Sequence, residues 1–141
     1  MQAVEKASDF EIRPATFADV DAYLDLAERL YPGRGVSRSR PWVEWCIDNP
    51  ERLVLVGPGC FAIAQVTWHY GFERRARLDV LAGSAGFTTF RMIRHMLAWA
   101  RSMGATGDFL LDADTGVDFE PFARRLGARP KIVRYAIPLE E

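Results

Sequence analysis

Cysteine is scarce in this chain of 141 residues, and the only two, Cys46 and Cys60, exclude two classes of small protein. Two thiols are too few for a disulfide framework or for a zinc site made of cysteines, so we expect both to be reduced and packed. Net charge is also nearly absent, since 18 lysines and arginines oppose 19 aspartates and glutamates. A chain so close to neutral has no general attraction to nucleic acid or to a membrane surface.

Long apolar runs are absent as well. No run approaches the roughly 20 residues that span a bilayer, and the opening residues, MQAVEKASDFE, contain no apolar signal core. We therefore expect a cytoplasmic protein with no membrane partner. The length suits one domain with a substantial core. We expect residues 1–8 to form a flexible N-terminal tail and residues 9–141 to form the domain.

Residues 78–104 contain a strand, a loop of small residues and the longest helix in succession. Apolar side chains recur there at three- and four-residue spacing, which predicts one buried helix face made of Phe90, Ile93, Leu97 and Ala100, widened by Met96 and Trp99. Gly104 stands where a glycine commonly ends a helix. The loop Gly83-Ser84-Ala85-Gly86 has little side chain to cover its backbone. Free N–H groups and the helix dipole point into such a loop, so the pattern predicts an anion site.

Alternating and apolar stretches predict the other elements around this unit. We expect strands near residues 10–13, 53–56, 60–70, 75–81, 109–111 and 131–139, and further helices near residues 20–31, 41–48 and 119–126. Thr16 and Asp19 resemble a capping box before the first of these helices. A run of antiparallel hairpins followed by a crossover helix predicts a mixed sheet, with residues 78–81 parallel to residues 109–112.

This order of elements resembles the GNAT superfamily of acyl-CoA-dependent N-acetyltransferases. Residues 10–15, FEIRPA, are similar to the family's opening, residues 97–105, LAWARSMGA, to the end of its cofactor helix, and residues 122–128, FARRLGA, to its late segment. The resemblance implies a single GNAT-like α/β domain. Its sheet would be mixed and mostly antiparallel, with one parallel pair of strands and helices on both faces.

The resemblance also implies acetyl-CoA as the cofactor. The family's pyrophosphate loop has an arginine or glutamine and two glycines, whereas Ala85, Thr88 and Phe90 occupy these positions here. Backbone amides and the remaining hydroxyls would then bind the cofactor. The candidate cofactor-binding residues are Val80, Leu81, Gly83, Ser84, Ala85, Gly86, Phe87, Thr88 and Thr89.

Asp79 is the candidate general base, because the corresponding strand of the family often carries one. The alternative is a strand carboxylate held in a salt bridge. The tyrosine that often serves the family as general acid corresponds to Ala123, which has no proton to give. Tyr135 would replace it only if the fold brought it near. A missing acid forfeits roughly 10²–10⁴-fold in rate.

Other clusters of polar side chains have two explanations each. Asp112, Asp114, Asp118 and Glu120 faintly resemble a calcium loop, but glycine and valine stand at key positions of that loop. Capping of the next helix explains these carboxylates, so we predict no metal. Arg34, Arg38 and Arg40 either bind an anion or are solvated.

Three aromatic residues are equally ambiguous. Trp42 and Trp45 either contact a partner or pack the short helix over the sheet. His69 is either a hydrogen-bonding residue or a catalyst at the mouth of a cleft.

Two functions follow and both are open. In the first, the chain transfers an acetyl group from acetyl-CoA to an unknown small-molecule or peptide amine. In the second, it keeps the architecture without the chemistry, as a binding or structural protein with a protein partner. Small GNAT-like proteins of tailed bacteriophages, including internal virion components, are similar in size and pattern, and the chain would then belong to a virion.

Overall fold

The computed structural model describes residues 12–83, 86–111, 124–129 and 135–139. The strands are β1 (Arg13–Pro14), β2 (Arg52–Gly57), β3 (Cys60–His69), β4 (Glu73–Gly83) and β5 (Phe109–Leu110). The α-helices are α1 (Val20–Leu30), α2 (Arg40–Asp48) and α3 (Phe87–Ser102). Short 3-10 turns at Phe17–Asp19 and Val36–Ser39 precede α1 and α2. The predicted order of elements is confirmed as far as β5.

The five strands form one sheet in chain order. The pairs from β1 to β4 are antiparallel, whereas β4 and β5 run parallel, with Ala76 opposite Phe109 and Arg77 opposite Leu110. The predicted α/β class, with one parallel pair in the described sheet, is therefore confirmed. The register differs from the expected one, because β5 meets β4 two residues before residue 78.

Helices pack on both faces of the sheet and bury two separate cores. On one face, α1 and α2 bury a set that comprises Val20, Tyr23, Leu24, Ala27, Val43 and Cys46 against Val54, Phe61, Ile63 and Ala82. On the other face, α3 buries Met92 and Met96 against Leu55, Ala62, Ala64, Leu78 and Leu81. Successive side chains of β2 and β3 thus enter different cores, which is why both strands are almost continuously apolar.

Asp19 fixes the turn before α1. Its carboxylate accepts a hydrogen bond of 2.8 Å from the Thr16 backbone N–H and two of 2.8 Å from the Arg13 guanidinium. The Arg13 hydrogen bond is the main reason why the pKa of Asp19 falls from 3.8 to about 2. The predicted capping box is confirmed, and it links β1 to the start of the helix.

The helix α3 ends as predicted, and the face that it buries overlaps the predicted one at Ile93, Met96 and Ala100. Gly104 has a φ of +83°, and the N–H groups of Gly104 and Ala105 donate to carbonyls of the last turn. The buried positions are Thr89, Met92, Ile93, Met96 and Ala100. The predicted Phe90 and Leu97 are only half-buried. The apolar face of α3 is wider than the part that packs against the sheet. The spacing of apolar residues therefore did not show which of them would be most deeply buried.

The last predicted strand is wrong over its described part. Residues 135–139 lie in neither a strand nor a helix, and their side chains are exposed. Alternation of apolar residues suggested a strand, but Pro138 has no N–H to donate to a ladder. Residues 124–126 are helical and Gly127 follows with a φ of +73°, as expected for the end of the predicted helix. The predicted tail and residues 119–123 and 131–134 lie outside the described residues.

None of the helices in the described ranges is both long and apolar enough to cross a membrane.

Gly83, at the end of β4, occupies a conformation that favours glycine. Its φ is +136°, and an added Cβ would lie 2.5 Å from the Cβ of Cys60 and 2.8 Å from the carbonyl oxygen of Gly59. We predict that Gly83→Ala lowers the free energy of unfolding by about 2 kcal/mol or more, through backbone strain and overlap. Urea denaturation measures this change.

Gly86→Ala is the matched control. Its backbone is extended and no described residue lies within 4 Å of an added Cβ, so we expect a loss of about 1 kcal/mol or less. Equal losses in the two variants would contradict the prediction.

Candidate functional site

A bulge interrupts the pairing of β4 with β3 at Asp79. Ala64 pairs with Leu78 and Ile63 pairs with Val80, so Asp79 is the additional residue on β4. A bulge of this kind brings two consecutive side chains to one face of a strand. Val80 packs into the core under α1 and α2, and the hydrogen bonds of Asp79 lie on that same face.

The Asp79 carboxylate accepts three hydrogen bonds from three strands. Arg52 of β2 donates to Oδ2 at 2.8 Å, while Gln65 of β3 and Arg77 of β4 donate to Oδ1 at 2.7 and 3.0 Å. We call these four residues the Asp79 cluster. The Asp79 side chain is only 11% exposed. The arrangement is the salt-bridged carboxylate that the sequence left as the alternative to a general base.

The two arginines of the Asp79 cluster have different surroundings. The Arg52 side chain is 17% exposed, and its guanidinium lies 4.9 Å from the ring centre of Trp45 on α2. Arg77 is 54% exposed. Under α2, burial raises the pKa of the Cys46 thiol, an effect that Arg52 opposes. Two guanidinium groups against one carboxylate leave the Asp79 cluster with one positive charge in excess.

The residues predicted to bind the cofactor follow directly after the bulge. The ladder between β4 and β5 includes Arg77 but none of residues 78–83, which continue beyond β5. The first hydrogen bond inside α3 runs from the Phe90 N–H to the Gly86 carbonyl, so the amides of Phe87 and Thr88 precede the helical ladder. Ser84 and Ala85 lie outside the described residues.

Two of the predicted cofactor residues have unexpected environments. Thr89 is 1% exposed, and its hydrogen bond to Cys60 opposes the rise that burial causes in the pKa of that thiol. Its hydroxyl therefore faces the core and not the loop. Phe87 is 69% exposed, so its ring stands at the surface where α3 begins.

Arg91 is a candidate to which the sequence assigned no role. Its guanidinium lies 5.8 Å from the ring centre of Phe87, within the cation–π range. The first turn of α3 contains no acidic residue. The start of the helix thus has a nearby positive charge although the loop has no arginine. The signal was the four-residue spacing of Phe87 and Arg91, which places both on one side of the helix.

The three arginines before and at the start of α2 make no described contact with the Asp79 cluster or with the start of α3. Arg38 donates to the carbonyls of Arg34 and Gly35, and Arg40 forms ion pairs with Asp21 and Glu44. Arg38 and Arg40 therefore form hydrogen bonds and ion pairs with their own loop and with the neighbouring helices.

The remaining candidates from the sequence are three aromatic residues, His69 and the acidic segment. His69 lies against Tyr70, with 4.0 Å between the ring centres. Tyr135 is 88% exposed. Trp45 is half-exposed over Arg52, so it packs on the sheet in part. The predicted calcium-like residues 112–120 and Ala123 lie outside the described part of the chain, which contains no cluster suited to a metal ion.

No protein-family model matches this sequence, and none of the curated proteins is detectably similar to it. Several solved structures match the fold. Glucosamine-6-phosphate N-acetyltransferase from Arabidopsis thaliana has a TM-score of 0.72 at 11% identity, over 93% of this chain and 99% of that one. The aminoglycoside antibiotic 6'-N-acetyltransferase from Acinetobacter haemolyticus gives 0.68 at 18%, over 93% and 100%. An acetyltransferase from Trypanosoma brucei gives 0.68 at 16%, over 92% and 99%.

Together, the topology and the structural matches define the fold of the chain. A single α/β domain, with a five-stranded mixed sheet and one parallel pair in its described part, matches the acetyltransferase structures over nearly their whole length. The chain has the GNAT fold.

Removal of Arg52 should destabilise the protein more than removal of Arg77, although both donate to the same carboxylate. Arg52→Gln leaves a nearly buried carboxylate with one charged partner fewer and removes the contact with Trp45. We predict a loss of about 1.5–3 kcal/mol in the free energy of unfolding. Arg77→Gln removes an exposed donor and should cost less than about 1 kcal/mol. Urea denaturation of both variants tests the ranking, and a larger loss for Arg77→Gln would reverse it.

Proposed function

We propose that the chain is a GNAT-type N-acetyltransferase that uses acetyl-CoA to acetylate a small-molecule or peptide amine. The observation that carries the proposal is the end of the β4–β5 ladder at Arg77, with a bulge two residues later and a helix that begins soon after β4. Among the described residues, this arrangement leaves the edge of β4 beyond Arg77 without a pair in β5 and close in sequence to the start of α3, in a fold shared with known acetyltransferases.

The residues at the start of α3 fit a pyrophosphate group. None of the described residues lies within 4 Å of a Cβ built on Gly86, so these residues leave space beside the backbone. The amides of Phe87 and Thr88 precede the helical ladder and would donate to a phosphate there, the helix dipole favours an anion at this end, and no carboxylate in the first turn opposes it. Arg91 supplies the positive charge that the loop lacks. The residues proposed to bind the pyrophosphate are Gly83, Ser84, Ala85, Gly86, Phe87, Thr88 and Thr89, with Thr89 contributing only its backbone.

The edge of β4 would hold the extended arm of the cofactor. Val80 and Leu81 lie beyond the last pair with β5, so their backbone groups on that edge have no partner in β5. An extended ligand can hydrogen-bond to such an edge as an added strand does. When bound, acetyl-CoA supplies an activated acetyl thioester.

Asp79 is proposed to accept the proton that the amine releases. Oδ1 accepts two hydrogen bonds and Oδ2 accepts one, so Oδ2 keeps a free lone pair. Asp79, or a water beside it, takes the proton as the nitrogen–carbon bond forms and the carbon–sulfur bond breaks. Ala123 has no proton to give, so the leaving sulfur is protonated by water. Arg52 and Gln65 hold the carboxylate in position.

A second candidate function is a protein that keeps this fold and binds without turnover. Two observations favour it: the pyrophosphate loop has no arginine, and the Asp79 carboxylate is already held by three donors. Its relation to bacteriophage virion proteins stays a prediction, as does the cytoplasmic location.

A measurement of acetyl-CoA binding tests whether the chain is an acetyltransferase or a protein that binds no cofactor. We expect saturable binding in calorimetry, and at a hundred times the dissociation constant the ligand should stabilise the fold by about 2.7 kcal/mol. Gly86→Glu should weaken binding about 100-fold or more, since it adds a negative charge where the phosphates would lie. The open, extended backbone at this position lets the variant fold.

Gly86→Gln is the matched control because it adds similar bulk without charge, and we expect a smaller loss of affinity. If the unaltered protein does not bind acetyl-CoA at millimolar concentrations of the ligand, the proposal is wrong.

Asp79→Asn distinguishes a proton acceptor from a purely structural carboxylate. We expect acetyl-CoA affinity to change less than threefold, because Asp79 lies outside the proposed phosphate site. Turnover, measured as release of the free thiol, should fall by about 10²–10⁴-fold. Unchanged turnover would show that water or another group takes the proton.

A further inference from the structure

The face of the sheet that carries the Asp79 cluster is only partly covered. Under α1 and α2 it is packed with apolar side chains as far as Ile63 and Val80. Beyond Gln65, the side chains of Thr67, Arg75 and Arg77 are exposed. The opposite face next to the bulge is filled by α3 through Met92 and Met96. An acceptor that approaches the bulge therefore meets the polar end of the first face.

Arg77 has donors that no residue in the described part of the chain accepts. Its Nε donates to Asp79, and its two terminal nitrogens make no hydrogen bond to any residue in the described ranges. Asp79 holds the guanidinium from one side while 54% of the side chain remains exposed. The free edge of a fixed guanidinium matches the two oxygens of a carboxylate or phosphate.

The other arginines nearby are less suitable. Arg52 is nearly buried, paired with Asp79 and covered by Trp45. Arg75 forms an ion pair with Glu73, so its charge is balanced. The excess positive charge of the Asp79 cluster is thus available mainly at Arg77, and it disfavours an acceptor whose only charge is an ammonium group.

We infer that Arg77 binds an anionic group, a carboxylate or a phosphate, carried by the acceptor amine. The inference rests on the proposed acetyltransferase function and names its substrate class. The Nε of Arg77 lies 3.0 Å from Oδ1 of Asp79, so an amine beside this carboxylate and an anion at the terminal nitrogens of Arg77 would be a few bonds apart in one small molecule. Arg77 would then determine which amines are accepted.

Two pairs of probe amines test the inference in the presence of saturating acetyl-CoA or CoA. One pair is 4-aminobutyrate and its neutral amide, and the other is O-phosphoethanolamine and ethanolamine. NMR titration that follows the arginine Nε–H signals gives dissociation constants for each. We expect the anionic member of at least one pair to bind about tenfold to a hundredfold more tightly. The pair that shows the preference identifies the group as a carboxylate or a phosphate.

Arg77→Gln should abolish the preference and Arg77→Lys should restore part of it, since lysine keeps the charge but not the planar guanidinium. Arg75→Gln is the matched control on the same strand and face, with similar exposure, and it should keep the preference. If no anionic amine binds more tightly than its neutral partner, including the case in which none binds, the inference is wrong. It is also wrong if Arg75→Gln and Arg77→Gln lose the preference equally.

These outcomes are separate from failure of the proposed function. Acetyl-CoA binding by the unaltered protein, together with no preference for anionic amines, would overturn the role of Arg77 and leave the acetyltransferase proposal standing. No acetyl-CoA binding would overturn both.

Discussion

The carboxylate of Asp79 joins three strands of the sheet through charge-assisted hydrogen bonds, and the candidate site depends on it. Arg52, Gln65 and Arg77 come from β2, β3 and β4; Arg52 donates to Oδ2, and the other two donate to Oδ1. Most of the surrounding face is apolar, so these polar groups must satisfy one another where they are buried. The result is a fixed polar group at the place where β4 leaves β5.

The two faces of the sheet contribute differently to the proposed chemistry. The face under α3 is filled with methionine, leucine and alanine side chains, so it positions the helix whose N-terminus would bind phosphates. The face under α1 and α2 ends in the Asp79 cluster, where charge is available at the surface. A thioester that reaches the bulge along β4 would lie between a phosphate site at the start of α3 and an acceptor site at Arg77.

Local signals in the sequence predicted the elements well because each has its own chemistry. Thr16 and Asp19 cap a helix and Gly104 ends one, and each of these signals depends on a few neighbouring residues. The parallel pair followed from the order of strands and helices. The alternating residues near the C-terminus were a poorer guide, because residues 135–139 have the apolar spacing of a strand without being part of one.

The candidate site was less predictable because its geometry depends on pairing between distant segments. A one-residue bulge does not change the composition of β4, so the sequence did not show that Asp79 and Val80 share a face. The sequence offered Asp79 as a base or as a salt-bridge partner, but the partners Arg52 and Gln65 lie 27 and 14 positions away. Arg91 was not predicted as part of the site, because its position lies one helical turn after the loop that lacks the family's arginine, and only the fold of α3 brings it next to Phe87.

The extra residue in β4 also changes the parity of the strand. Before it, the odd-numbered side chain of Arg77 faces the same side as Gln65, and after it the even-numbered Val80 and Ala82 enter the core of α1 and α2. Loss of Asp79 would make the pairing regular and would keep Val80 and Ala82 under the first helices and Leu81 under α3. Both cores would keep their side chains, and the strand would lose only the carboxylate. The extra residue thus adds a polar group to the sheet without disturbing the packing on either face, so proteins of this shape that lack it should keep the fold and lose the Asp79 cluster.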